Sequence, residues 1–264
     1  MKVTFLGTGT SQGVPVIACD CRVCQSTDIK DKRLRSSVMI EVNNKIIVID
    51  AGPDFRQQML RENVKSLDAI LLTHGHKDHI GGLDDVRAFN FILKRPINVY
   101  ANIGAINSVR REMFYAFDNH NRYPGLPKID LQTIENKSFH INGIKITPIE
   151  TLHYKLITYA YRIGDFTYIT DTNYISEIEM EKIKGSKVIV INALRRRKHV
   201  SHFNLSEALE IIDKLKPEKA YLTHLSHIIG TYEEVKKELP DYVKIAFDGL
   251  KLEIINWKLE ISTH

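Results

Sequence analysis

A chain of 264 residues has room for one large domain or two small ones. Its 43% hydrophobic and 26% charged residues are ordinary for a globular protein, and no apolar run approaches the roughly 20 residues that would exclude it from that class by spanning a bilayer. Lys and Arg number 37 against 32 Asp and Glu, an excess of +5 that suits an anionic substrate without calling for nucleic acid.

In chain order, "MKVTFLG" opens as a β-strand rather than as a signal peptide. "GTSQGVP" follows; it is not a phosphate-binding P-loop, because no Gly-Lys-Ser/Thr comes after it. "CDCRVC" then gathers Cys19, Cys21 and Cys24, the three cysteines of the chain. An odd, clustered count does not suit a disulfide framework, and the expected setting is a reducing cytoplasm. Three thiols are also one short of a tetrahedral metal site, so they are either buried or redox-active thiols, or ligands awaiting a partner.

"SVMIEV" and "KIIVIDAG" are expected strands, "FRQQMLREN" a short helix and "LDAILLTH" a buried strand. A helix is expected from Asp78 to about Leu93, ended by "KRP". Strand "INVYA" and helix "GAINSVRREMFYAF" come next. The irregular loop "DNHNRYPGLP" has the composition of a segment covering a site, with His120 and Tyr123 as candidate substrate contacts. "KIDLQTI", "FHINGIKITPIE", "TYAYRIG" and "FTYITD" are expected strands, "SEIEMEKIKG" a helix and "KVIVINAL" a strand. From Asn204 to Lys216 the apolar residues Leu205, Ala208, Leu209, Ile212 and Leu215 share one helical face, and Asn204 with Glu207 forms a capping-box pattern. "KAYLTH", "TYEEVKKEL" and "KIAFDGLKLEII" supply strand, helix and closing strands. With no repeat or linker, the pattern is a strand-rich α/β chain forming one layered domain over residues 1–264.

The stretch "LLTHGHKDHIGG" carries the chemistry. His74, His76, Asp78 and His79 fall within six residues, directly after a buried strand. Imidazole and carboxylate in this density are the ligand set of Zn and Mn sites rather than of a solvated loop. The H-x-H-x-D-H pattern is the signature of the metallo-β-lactamase superfamily, which this sequence resembles over almost its whole length. The resemblance implies a four-layer αβ/βα sandwich with metals at one edge of the two central sheets. It also implies where the remaining ligands lie. His153 ends "IKITPIETLH", Asp171 ends "FTYITD" and His224 ends "KAYLTH". By resemblance the first metal takes His74, His76 and His153, the second takes Asp78, His79 and His224, and Asp171 is shared. Two such divalent ions, Mn or Zn, acidify a water and neutralise charge on the substrate. Asp50, in "VIDAG", is either a turn residue or an orienting partner for the imidazole of His74 or His79.

Within the superfamily the chain resembles the phosphoribosyl cyclic phosphate phosphodiesterases of bacterial phosphonate degradation, on "GTG…QGVP", C-x-C-x-x-C, "LTH-x-H-x-DH" and "LTH-x-SH". That resemblance implies a structural zinc held by Cys19, Cys21, Cys24 and His227, clamping the loop at about residues 15–28. It further implies that a His opening the helix after "NAL" protonates the leaving group. His202 matches this position, with His199 as competitor. Arg195, Arg196, Arg197 and Lys198 form the densest basic run, either a solvated loop or a two-pronged phosphate grip. The implied activity is metal-dependent hydrolysis of a small anionic phosphodiester such as phosphoribosyl 1,2-cyclic phosphate, by a cytoplasmic homodimer. The alternatives are a ribonuclease Z-like RNA-processing nuclease, which the modest charge disfavours, and a non-catalytic carrier related to quinone-cofactor biosynthesis.

Overall fold

The computed structural model describes residues 1–118 and 123–255. His120 lies outside the described residues. The first half of the chain runs β1 (Lys2–Gly7), β2 (Ser37–Val42), β3 (Lys45–Ile49), α1 (Phe55–Arg61), β4 (Ala69–Leu71), α2 (Lys77–Ile80), α3 (Arg87–Leu93), β5 (Ile97–Ala101), α4 (Ile103–Glu112), α5 (Phe114–Phe117) and β6 (Ile129–Thr133). The second half runs β7 (Phe139–Ile141), β8 (Ile144–His153), β9 (Leu156–Ile163), β10 (Phe166–Ile169), α6 (Glu177–Ile183), β11 (Val188–Asn192), α7 (Leu205–Leu215), β12 (Lys219–Thr223), α8 (Tyr232–Lys236), β13 (Val243–Ile245) and β14 (Lys251–Glu253).

Among the described residues the strands form two seven-stranded sheets, ordered β14-β1-β2-β3-β4-β5-β6 and β13-β12-β11-β10-β9-β8-β7. Alternation along each strand sorts side chains to opposite faces. Val38, Ile40, Ile47, Ile49, Phe166, Tyr168 and Val190 point between the sheets and pack there against one another. Met39, Val48 and Ile70 face the other way, onto Phe55 of α1, Phe89 of α3 and Ala105 of α4. Ile169, Ile189 and Ile191 do the same for Met180 of α6 and Ala208 and Ile212 of α7. Each fully buried large side chain contributes roughly 1.5–3 kcal/mol. The result is helix, sheet, sheet, helix: the four-layer αβ/βα sandwich. No helix among the described residues is long and apolar enough to cross a membrane.

Local chemistry explains the boundaries. Asn142 and Gly143 both adopt positive φ and split "FHINGIKITPIE" into the β7–β8 hairpin. The capping box of α7 is present: Asn204 accepts from Glu207 N–H at 2.9 Å and Glu207 accepts from Asn204 N–H at 3.0 Å. Two helices expected to be continuous are broken. Gly81 and Gly82 divide the first into α2, a 3₁₀ turn (Leu83–Val86) and α3. The second breaks at Met113, between α4 and α5.

The parallel run β3-β4-β5-β6 and the parallel run β10-β11-β12-β13 end at a common edge, where β8 also ends. Just beneath it the sheets are joined. Tyr161 of β9 donates its hydroxyl to Leu72 O at 2.6 Å, and Tyr159 N–H donates to Thr73 O at 2.9 Å.

Candidate metal centres

The loops leaving β3, β4, β8, β10 and β12 place Asp50, His74, His153, Asp171 and His224 at this shared edge. Asp50, Asp171 and His224 each sit in the left-handed region, with φ of 66°, 49° and 55°. Non-glycine residues rarely adopt it, and three of them, after β3, β10 and β12, mark a site where the fold holds a costly turn to aim a side chain. His74, His79, Asp171 and His224 are almost wholly buried.

Two sets of side chains converge. His74, His76 and His153 bring one ligand atom each within 4.8 Å of one another, as do Asp78, Asp171 and His224. His74, His79 and Asp171 form a third such group that links them. Asp171 is the hub: its Oδ2 lies 3.1 Å from His224 Nδ1 and 3.2 Å from His79 Nε2, and its Oδ1 lies 3.1 Å from His202 Nε2.

His79 shows what the set lacks. Its Nδ1–H donates to Asp50 Oδ2 at 2.7 Å, and Asp50 also accepts from Thr73 N–H at 2.8 Å and from Thr73 Oγ1. The other nitrogen, Nε2, is buried 3.1 Å from Asp78 Oδ2 and 3.2 Å from Asp171 Oδ2, yet makes no hydrogen bond. A bare lone pair facing two carboxylates would be repulsive, so the place between them calls for a positive charge, a proton or a metal ion. Protonation states agree with this. Burial pushes the imidazoles of His74 and His153 down and that of His224 down to about 4, so all three are neutral, as metal ligands must be. Burial opposes ionisation of Asp78 and Asp171, but His79 beside Asp78, and His224 and His79 beside Asp171, hold both well below the usual carboxylate range. His79 is lowered by burial and raised more by Asp78, Asp171 and Asp50, ending well above an ordinary imidazole. That proton stands where a metal ion would displace it, and the donor set of neutral imidazoles beside ionised carboxylates fits divalent cations.

Cys19, Cys21 and Cys24, near the start of the chain, form a further group with His227, three residues past His224. His227 Nδ1 lies 3.3, 3.4 and 3.5 Å from the three sulfurs in turn. Tetrahedral zinc with Zn–S of about 2.3 Å and Zn–N of about 2.0–2.1 Å separates S and N by roughly 3.6 Å. The thiols are reduced. The Cys24 N–H, with burial opposing, lowers the Cys21 thiol to about 6, whereas burial raises Cys24 to about 11.

His202 is brought to the first cluster as well. Its ring stacks on His224 at 4.9 Å and meets His153 edge-on at 4.5 Å. Two members of the basic run are engaged in or beside their own loop. Arg196 donates to Ile229 O at 2.9 Å and grips Glu238 with both terminal nitrogens, while Arg195 bonds the carbonyls of Arg197 and Lys198 in its own loop. Tyr123 lines a groove with Phe91, Phe117 and Leu126. Three supporting residues carried no sequence signal. Ser36 Oγ lies 3.2 Å from His224 Nδ1, Thr73 bridges to Asp50, and Ser201 O accepts from His153 Nδ1 at 2.8 Å. Serine and threonine are too common to stand out without the fold that places them.

A family described as "Beta-lactamase superfamily domain" matches residues 45–225. A crystal structure described as a new diphosphatase from the PhnP family is 38% identical, with a TM-score of 0.91 over 98% of this chain and 99% of that one. An octanoyltransferase of Porphyromonas gingivalis is 39% identical over 95% of this chain and 51% of its own length. A ribonuclease Z of Staphylococcus epidermidis is 27% identical over 62% of this chain and 49% of its own length. The chain thus spans about half the length of these curated relatives.

Proposed function

The chain belongs to the β-lactamase superfamily and, within it, to the PhnP family, and on that premise we propose a dinuclear metal-dependent hydrolase of small phosphodiesters, acting on a cyclic diester such as phosphoribosyl 1,2-cyclic phosphate. The observation that carries this reading is the orphaned His79 Nε2 facing Asp78 and Asp171, with Asp171 central to both ligand sets. His74, His76 and His153 would hold one ion, Asp78, His79 and His224 the other, and Asp171 would touch both. Such a pair supplies an acidified water as nucleophile and neutralises charge on the phosphoryl oxygens. Cys19, Cys21, Cys24 and His227 would hold a separate structural zinc, a closed set with no position for substrate.

This chain's own residues do the rest. Asp50 and the Ser201 carbonyl orient the imidazoles of His79 and His153 by their Nδ1–H groups. His202, with its side chain 11% exposed and Nε2 directed at Asp171, is the proton donor to the departing alkoxide.

Purified protein reconstituted with Mn²⁺ or Zn²⁺ is expected to hydrolyse bis-p-nitrophenyl phosphate and a ribose cyclic phosphodiester. His202→Ala should lose about 10²–10⁴-fold on alkyl leaving groups and far less on p-nitrophenolate, which departs unaided. Octanoyl thioester and precursor tRNA are the contrasting substrates. The octanoyltransferase name belongs to a protein about twice this chain's length. Turnover of the thioester or the RNA alone, with every small diester untouched, overturns the proposal.

A further inference from the structure

Three side chains in the loop before α7 form a directional chain. The backbone N–H of Ser201 donates to His199 Nδ1 at 3.3 Å, and an N–H can only donate, so His199 Nδ1 is the unprotonated nitrogen of that ring. The Ser201 hydroxyl lies 3.2 Å from the same nitrogen and 3.1 Å from His202 Nδ1. His202 Nδ1 itself lies 3.1 Å from His199 Nδ1. His199 Nδ1 has a single lone pair, and a second lone pair on His202 Nδ1 would oppose it at 3.1 Å. His202 Nδ1 therefore carries a hydrogen, shared between Ser201 Oγ and His199 Nδ1. On the far side of the ring, His202 Nε2 faces Asp171 Oδ1 at 3.1 Å.

We infer that His199 and Ser201 are positioning residues that keep a proton on His202 Nδ1, so that Nε2 is the nitrogen presented to the substrate. The inference rests on the reading of His202 as proton donor and removes His199 from competition for that role. Donation from Nε2 to the leaving oxygen returns a neutral ring with its remaining proton on Nδ1. The imidazole then regains a proton from water at Nε2 without tautomerising or rotating. Burial, with His202 and Arg195 adding to it, lowers the His199 imidazole, consistent with a neutral acceptor. Ser201 serves two ends at once: its hydroxyl binds His202, and its carbonyl binds His153.

Two variants separate positioning from packing. His199→Asn retains a side-chain acceptor near the place of Nδ1, and His199→Leu keeps bulk without one. Imidazole ¹⁵N spectra of the zinc-loaded wild type should show His202 Nδ1 as a protonated nitrogen. His199→Leu should mix in the opposite tautomer, and His199→Asn should restore the wild-type pattern. In kinetics, His199→Leu should lower kcat on alkyl diesters by about 10-fold or more with little change in KM or in p-nitrophenyl release, and His199→Asn should recover most of it. An unprotonated His202 Nδ1 in the wild-type spectrum overturns the inference. So does an equal loss by both variants on both leaving groups. If no diester is hydrolysed but the spectra behave as described, the proposed function falls while the positioning stands.

Discussion

At the scale of single residues, the histidine and carboxylate cluster leans on buried groups behind it. Asp50 is fully buried, and burial pushes its carboxyl up against the opposing pull of His79 and Thr73. It accepts from Thr73 N–H, Thr73 Oγ1 and His79 Nδ1, so both oxygens are committed. Asp50→Asn turns one oxygen into an NH₂ group that must face a donor. We expect the affinity for one divalent ion to fall about 10–100-fold, as is usual when a ligand histidine loses its outer partner. Titration calorimetry of apo protein with Mn²⁺ checks this; two unchanged sites would show that Asp50 only shapes its turn. The sequence placed Asp50 beside the cluster but left open whether it serves His74 or His79. Only the left-handed turn at Asp50, which aims the carboxylate at His79, decides between them. The histidines and carboxylates were legible because each follows an apolar strand, and strands deliver their ends to one edge. Ser36 and Ser201 were not, since their partners lie 188 and 48 residues away.

At the scale of elements, what the sequence hides is backbone packed on backbone. Periodicity alone carries a helix from Asp78 to Leu93, yet the chain breaks at Gly81 and Gly82. A Cβ on Gly82 would lie 2.1 Å from Gly52 O, and one on Gly52 would lie 1.9 Å from Asp78 O. The loop after β3 is therefore pressed directly against the turn that carries Asp78 and His79, with Ala51 N–H donating to His79 O at 2.8 Å. By contrast, the start of α7 was legible, because a capping box is satisfied within four residues. Gly52→Ala tests the contact. It cannot be relieved by rotating a side chain, so the two loops must part. The expected cost is about 1–3 kcal/mol in urea unfolding, together with weaker metal retention on gel filtration. An Ala variant with wild-type stability would show that the loops are looser than their separation implies.

At the scale of the whole molecule, the two halves of the chain meet at the site and again at the cysteine cluster. One sheet brings His74, His76, Asp78 and His79, the other brings His153, Asp171 and His224, and neither sheet holds a complete set. The cluster of Cys19, Cys21 and Cys24 with His227 joins segments more than 200 residues apart. The same two loops already share backbone bonds, Leu225 N–H to Thr8 O at 2.9 Å and Thr10 N–H to Leu225 O. A zinc there would stabilise the fold by binding the folded chain alone, and would steady His224 three residues away from His227. Cys21→Ser removes one ligand while the backbone bonds remain. The expected outcome is about one fewer ion per chain by elemental analysis and a loss of about 3 kcal/mol. For a chain of this size that lowers Tm by roughly 6–12 °C. Diesterase activity at low temperature should persist once Mn²⁺ is supplied, because the catalytic set contains no sulfur. Loss of all metal from the variant would instead mean that the cluster and the active site fill as one cooperative unit, and the separation between clamp and catalyst drawn from the geometry would fail.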